Sequence, residues 1–544
     1  MRKLNLKMRW IYFFSLTVLA ISCLSILNCN PKGKNNSDTN NEQNGTPVNI
    51  DPVQSALLDF MTRQLQANGV PGGSIAIVSN GTLSNASGVG VKNHSNDSQV
   101  RPDTLFINCS ITKMLTAGGV MTLVDEGTVD TDAPITNYVP YFSLRSPFNP
   151  SDITVHQCLT HTSGIPDYIE VRCDTDSDAL SRWFRLNSGF PLWSPPGRLW
   201  NYSNLGYSLA GLVVEEMSGL PFAEAMKQRI FTPAGMTEAT YFPNEVIASG
   251  NYSIGHSYEN GVLVNTIFPD TFHCPLGYPP GLLWASAMDM AHYCEMLLAG
   301  GGDVLTVESV NKMKDKLVDT RQYPGMYYGY GLMTIDVNDF TLVYHDGGIT
   351  GFRTTFYMIP EYNFGVVVML NADHYNPGTI AVSAITTYLD LPEITLQPAT
   401  TDPDTWGIYT GKYNDPFELG EFDIYQDSEK RLWVNFSDLD MTKELFQIAN
   451  DCFYFDISGT ESTVYNLAAT FFLDDDGNAE YFATRAGVGK RVQESEVSLA
   501  LVKHLPATSP EARRKRIEQK ARRTPETLPY FLFNRIYRNN TGKK

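Results

Sequence analysis

The chain contains no G-x-S-x-G sequence. That absence argues against an α/β-hydrolase, whose nucleophilic serine sits on such an elbow. Histidine is scarce, with 9 among 544 residues. His273, His292 and His374 share no metal-ligand spacing and read as solvated or packed side chains, so no metal or other cofactor is expected. Asp474-Asp475-Asp476-Gly477-Asn478 hints at calcium but lacks the later acidic ligand of an EF-hand loop, and a hairpin turn is the plainer reading. Cysteine is sparse as well, at 8 residues. Cys109 and Cys158 lie in apolar stretches and read as buried thiols. Cys173 and Cys274 fall in loop-like segments that an exported chain could oxidise, and their pairing cannot be read from spacing. Basic residues are short over most of the chain. Residues 1–28 carry +4 and residues 506–544, with 11 basic and 3 acidic side chains, carry +8, so the net −18 leaves −30 on residues 29–505. The body is no nucleic-acid binder.

At 42% apolar, a chain of this length can hold a large core and more than one domain. Arg2, Lys3, Lys7 and Arg9 precede an uncharged apolar run from Trp10 to Leu27, so residues 1–28 read as a signal peptide or a membrane anchor. Ile26-Leu27-Asn28-Cys29 resembles a relaxed lipobox in which Cys29 is lipidated after cleavage; Cys23 is a second candidate. Residues 29–50 are a polar tether with nothing to bury. The expectation is export to a bacterial cell envelope, facing the periplasm or the surface, with membrane attachment through the anchor or lipid. In the basic tail, residues 506–544, Arg513-Arg514-Lys515-Arg516 could touch anionic lipid or cell-wall polymer; a solvated, partly helical tail is the plainer reading.

Between these ends, a helix is expected from about Asp51 to Gln66. Strands Ser74–Val78 and Leu83–Val89 follow around Asn80-Gly81, a favoured hairpin turn. A helical middle leads to strands from Phe340 to Met369. Residues 392–405 read as a linker. From 406 to 505 short alternating strands at Phe422–Tyr425, Leu432–Phe436, Cys452–Phe455, Phe471–Leu473 and Tyr481–Thr484 suggest a small β-barrel.

Chemistry concentrates at Ser110-Ile111-Thr112-Lys113. The run after it is expected to be a helix ending near Glu126-Gly127, which puts the lysine on the serine's face. A serine needs a neighbouring base to become nucleophilic, and the helix N-terminus favours developing negative charge. Ser309-Val310-Asn311-Lys312 has the same form but sits in a charged segment that reads as a surface helix. Downstream, Tyr202-Ser203-Asn204 places a tyrosine where a lysine ammonium can favour its phenolate, fit to act as general base. Tyr258 and Tyr537 open similar Y-x-N triplets without that context. At His345-Asp346-Gly347-Gly348, between strand-like flanks, glycines allow close backbone approach. The Gly348 N–H could join that of Ser110 as an oxyanion hole, although paired glycines between strands are usually just a hairpin.

Residues Asp51 to Leu391 resemble the serine β-lactamase and penicillin-binding-protein superfamily, in its class C-like branch. Besides the three motifs, the resemblance runs in order through Ile153-Thr154, Leu159 to Pro166, Ile230 to Met236, Leu283 to Met290 and Tyr328 to Gly331. It implies an α/β (α+β) fold, an antiparallel sheet flanked by helices with a helical subdomain. Tyr409 to Tyr413 looks like the start of the lipocalin-like barrel appended to many relatives, which would bind ligand, screen the active-site entrance or simply pack. By the resemblance Ser110 is the acylated nucleophile, Lys113 its proton partner and Tyr202 the general base. Asn204, His345, Gly347 and Gly348 bind substrate. One departure is plain: no K-[ST]-G occurs anywhere, and His345 stands where relatives carry a permanent cation, with a side chain that titrates near neutrality. Asp346 adds negative charge beside it. The substrate expected is a small ester or amide, including D-amino-acid peptides. D-alanyl-D-alanine carboxypeptidase or weak class C-type β-lactamase activity is the alternative within enzymes, and a catalytically silent envelope binding protein the alternative outside them. His161 is expected to pack a loop. Trp183, Phe184, Trp193, Tyr278 and Trp284 are either acyl pocket or core.

Overall fold

The structure, a computed structural model, describes residues 52–492 apart from 168–172, 188, 260, 272, 338, 392–399 and 457–465, and a few residues between 509 and 517. Cys29, the leader, the tether and most of the tail lie outside the described residues, as does Tyr537.

An eight-stranded antiparallel sheet carries the first domain. Its strands are β1 (Gly72–Ser79), β2 (Thr82–Gly90), β3 (Val318–Asp319), β4 (Met326–Tyr328), β5 (Met333–Val337), β6 (Phe340–Ile349), β7 (Phe352–Ile359) and β8 (Phe364–Leu370), in the order β2-β1-β8-β7-β6-β5-β4-β3. Asn80 and Gly81 join the first two with φ of 54° and 76°, the positive values that a two-residue hairpin turn demands. Side chains alternate across a strand, and this alternation splits the apolar core into two layers. Ile75, Ile77, Val366 and Val368 pack with Leu57, Met61 and Leu65 of helix α1 (Pro52–Ala67). Ala76, Val78, Val367 and Met369 face the opposite layer, which holds helices α2 (Thr112–Asp125), α3 (Asn204–Ser218) and α4 (Ala287–Leu298). Helix α2 is buried from Thr112 to Leu123; an element apolar all round belongs inside a domain.

The second domain is a closed barrel of eight antiparallel strands. They are β9 (Gly411–Asp415), β10 (Gly420–Gln426), β11 (Leu432–Phe436), β12 (Met441–Ala449), β13 (Cys452–Asp456), β14 (Asn466–Leu473), β15 (Ala479–Thr484) and β16 (Val488–Arg491). Closure runs through Tyr413 opposite Arg491. Inward rings pack against one another: Phe422 lies 5.0 Å from Phe436 and 5.3 Å from Phe482, and Phe471 lies 5.2 Å from Phe482. Aromatic side chains make up much of this interior cluster. The acidic cluster at Asp474 is a hairpin turn, the Asp474 carboxylate accepting from the N–H groups of Asp476 and Asn478. The described part of the tail departs from the solvated reading. Ile517 belongs to the barrel's apolar core, and buried Arg513 lies 3.8 Å from Asp438.

The two domains share a continuous interface within one compact unit that spans 51–544. Trp193 and Leu199 pack with Phe472, Tyr481 and Val488. Arg198 donates to the Leu473 carbonyl and to Glu480, each at 3.0 Å. The Cys452 thiol donates to the Gln322 carbonyl at 3.0 Å. Among the described residues no helix is long and apolar enough to cross a membrane.

Candidate active site

Ser110 lies in a short 3-10 turn, Cys109–Ile111, that feeds directly into α2. Cys109 adopts φ 51°, a left-handed conformation that costs a non-glycine residue about 1–3 kcal/mol. Surrounding bonds hold it there. The Asn108 side chain donates to the Phe106 and Ala285 carbonyls. Its carbonyl accepts from Thr354 at 2.8 Å. The serine turn is thereby held against β6 and β7.

Lys113, one helical turn on, is fully buried. Its ammonium donates to Ser110 Oγ at 3.2 Å, Asn204 Oδ1 at 2.8 Å and the Pro280 carbonyl at 2.8 Å. As an ammonium the amine donates to all of these and has no lone pair with which to abstract a proton. The same nitrogen lies 4.7 Å from the centre of the Tyr202 ring. Gly331 closes the far side. Its φ is 76°, and a Cβ there would meet Met114 Cα at 2.6 Å and the Lys113 carbonyl at 2.8 Å.

Tyr202 sits just before α3, whose N-cap is Ser203. His161 stacks on it with ring centres 4.2 Å apart. Nδ1 of this histidine accepts the Ser203 N–H at 3.0 Å, and its Nε2 lies 3.1 Å from the Tyr328 hydroxyl. His161 therefore packs, as expected, but what it packs is the tyrosine itself. Burial, then the Lys113 charge, holds it well below the usual histidine range. Asn204 is fixed at both ends, since Asp167 Oδ1 accepts from its side-chain nitrogen at 2.8 Å and from its backbone N–H at 2.9 Å.

The third motif differs from a bare hairpin and from the expected titration. Gly347 and Gly348 do not form the hairpin turn, which comes at Thr350-Gly351; they continue β6 to Ile349. Beyond Tyr344 the strand loses its β5 partner while keeping β7, so one edge opens toward the serine turn. A Cβ on Gly347 would meet Cys109 Cβ at 2.8 Å and the Asn108 carbonyl at 3.0 Å. The other difference is electrostatic. His345 does not titrate near neutrality: it is fully buried, and desolvation followed by the Lys113 charge pushes it down to about 3. Its Nδ1 lies 2.6 Å from the Asp346 carbonyl and its Nε2 3.2 Å from the Tyr328 hydroxyl. The Asp346 carboxylate bonds Thr355 and lies 3.5 Å from the Tyr357 hydroxyl, across the strand.

Ser110, Lys113, Tyr202, Asn204, His345 and Gly347 thus converge. Of the aromatic candidates, Phe184, Tyr278 and Trp284 are core and Trp193 packs on the barrel. Ser309 bonds Asp125 on a surface helix far along the chain. Cys173 and Cys274 form a disulfide. It ties the loop before Trp183 to the segment whose Pro280 and Pro279 carbonyls accept from Lys113 and Thr116. Two residues had no sequence signal. Asp167 is a lone acid in a loop. Arg485 belongs to the other domain, and its guanidinium carbon lies 4.5 Å from the Tyr202 ring centre.

A family model described as beta-lactamase matches residues 58–384. A putative penicillin-binding protein, PbpX, of Bacillus subtilis (strain 168) is 30% identical over 268 residues, 48% of this chain and 64% of that protein. The chain spans less than two thirds of the length of the curated relatives it matches. Among solved structures, the octameric penicillin-binding protein homologue from Pyrococcus abyssi superimposes with a TM-score of 0.56 at 25% identity, covering 80% of this chain and 99% of that one. A D-amino acid amidase from Ochrobactrum anthropi SV3 shares the fold at TM-score 0.53 and 22% identity, over 62% of this chain and 99% of its own.

Proposed function

The chain belongs to the β-lactamase family, and from this we propose an exported serine hydrolase that works through an acyl-enzyme on Ser110. The observation that carries the reading is the Lys113 ammonium, buried and shared between Ser110 Oγ and Asn204 Oδ1 beside the Tyr202 ring. As an ammonium, Lys113 is the electrostatic partner and Tyr202, as phenolate, the base. The phenolate takes the Ser110 proton as Oγ bonds to the substrate carbonyl carbon. The N–H groups of Ser110 and of the open β6 edge at Gly348 receive the oxyanion. Collapse breaks the bond to the leaving alcohol or amine, which takes the proton back from Tyr202. Water then repeats the cycle on the ester.

Neutral His345 bears on substrate choice. With His345 neutral, the cation at this motif is Arg353 of β7, paired across from Gly348 with its guanidinium against that glycine. Loss of the lysine–hydroxyl pair that relatives carry there favours small esters and amides, D-amino-acid amides included, over D-alanyl-D-alanine-terminated peptides and penicillins. The disulfide supports export, since such bonds persist in oxidising compartments; the apolar leader and Cys29 make a membrane-tethered lipoprotein the simplest form. The test is intact-protein mass after brief exposure to an activated short-chain ester and, separately, a penicillin, with wild type and Ser110→Ala. An ester-derived adduct or turnover that needs Ser110 is expected. Folded wild type inert to both reagents refutes the reading in favour of a silent binding protein.

A further inference from the structure

Two cations, one from each domain, flank a single tyrosine. Lys113 Nζ lies 4.7 Å and the Arg485 guanidinium carbon 4.5 Å from the Tyr202 ring centre. Arg485 stands at the tip of the β15–β16 hairpin, where Thr484 N–H donates to the Gly487 carbonyl at 2.9 Å and the Thr484 hydroxyl accepts from the Ala486 and Gly487 N–H groups. The tip is rigid. It is also anchored, because β15 and β16 pack on Trp193 and Leu199. The crevice between Asn201 and Tyr202 on one side and Thr484 and Arg485 on the other leaves about 10 Å³, no more than one water's room. The Arg485 side chain is 4% exposed and its Nε lies 3.6 Å from Asp167, itself 5% exposed.

We propose that Arg485 is a positioning residue of the hydrolase centre, the barrel-borne cation that holds Tyr202 as phenolate. The first domain's other cation at the β6 motif, Arg353 of β7, lies against Gly348, and the appended barrel brings Arg485 against the Tyr202 ring itself. Charged and titratable groups about Tyr202 include Lys113 from α2 and Arg485 from the barrel at its ring, His161 and His345 beside it, Tyr328 of β4 against both histidines, Asp167 against Arg485, and Arg353 of β7 against Gly348. Both histidines are buried and uncharged near neutrality. Charge at the ring is therefore set by Lys113 and Arg485, with Asp167 moderating the latter. A cation this close to a desolvated phenol favours its ionised form. On this view the barrel neither carries a ligand nor merely packs. It completes the base.

The inference rests on Tyr202 being the base of a Ser110 hydrolase. Its test is kcat/KM against pH, with an activated short-chain ester that carries no carboxylate, for full-length wild type, Ser110→Ala, Arg485→Met, Arg485→Lys and Asp167→Asn. Removing the guanidinium raises the phenol's protonation point, so the acid limb of Arg485→Met moves up by about one pH unit, a tenfold loss on the limb with a much smaller one on the plateau. Arg485→Lys recovers part of the shift. Asp167→Asn moves the limb the other way, a sign that general loosening of the site does not produce. Arg485→Gln serves if the methionine variant does not fold. An unmoved limb in a folded Arg485 variant overturns the proposal, as does an effect confined to KM, which makes Arg485 a substrate contact. Wild type without Ser110-dependent turnover removes the hydrolase reading and this inference together.

Discussion

The burial of His345 predicts how the protein responds to acid. In the unfolded chain its imidazole titrates at the ordinary 6.5, and in the folded protein at about 3. Between those values the unfolded chain binds the extra proton. Stability is therefore full above pH 6.5 and lost as pH falls toward 3. The slope for one such group is about 1.4 kcal/mol per pH unit, which integrates to about 2 kcal/mol between pH 7 and pH 5 and about 4 kcal/mol by pH 3. Other groups share the window: Glu215, raised to about 7 by burial, works in the opposite direction. The informative quantity is thus the difference between wild type and His345→Gln, which keeps a neutral hydrogen-bonding side chain. Urea unfolding at pH 7, 6 and 5, followed by tryptophan fluorescence, should show the wild type losing about 2 kcal/mol more than the variant over that range. Equal losses, or an imidazole resonance for His345 that titrates near 6.5, would refute the claim that this motif is uncharged at neutral pH.

The Cys173–Cys274 disulfide closes a loop of 101 residues. Replacing both cysteines by serine should cost about 2–5 kcal/mol, read as a fall in Tm, and should lower kcat/KM because the bridged segment carries the Pro280 carbonyl against Lys113; reducing agent that leaves Tm and rate unchanged contradicts this. Gly331→Ala combines an unfavourable φ with a Cβ driven into the backbone at Lys113 and Met114. A loss of about 2 kcal/mol or more in stability is expected, with kcat/KM down at least tenfold as the ammonium is displaced; near-native values for both would mean the contact relaxes freely.

Local periodicity made the first domain legible. The S-x-x-K spacing put Lys113 on the serine's face because residues three apart share a helix face whatever else surrounds them, and the lysine donates to Ser110 Oγ at 3.2 Å. Asn80-Gly81 announced its hairpin through backbone preference alone. What failed was anything that depends on burial. A free histidine side chain is poised near neutrality, and only the walls formed by Lys113, Tyr328 and the sheet make His345 neutral. Gly347 and Gly348 prolong β6, and a bare hairpin there is ruled out; the serine turn packs too close to Gly347 for a side chain. The pairing of Cys173 with Cys274 is likewise a matter of chain path.

The barrel marks the deeper limit. Its alternating strands were recognisable, although β9, β12 and β16 were not picked out, the first and last being only five and four residues long. Its importance for the hydrolase was not legible, because Arg485 belongs to no pattern: it is one charged residue in a hairpin tip, 283 positions from the tyrosine it touches. Phe422, Phe436, Phe471 and Phe482 pack against one another inside the barrel, while its outer wall faces the first domain. That wall meets the first domain where Trp200, Tyr202 and Tyr328 share one apolar cluster with Ile448, Cys452 and Tyr454. Burying those surfaces fixes the barrel in place, and a fixed barrel is what allows a hairpin-tip arginine to stand within 4.5 Å of the candidate base.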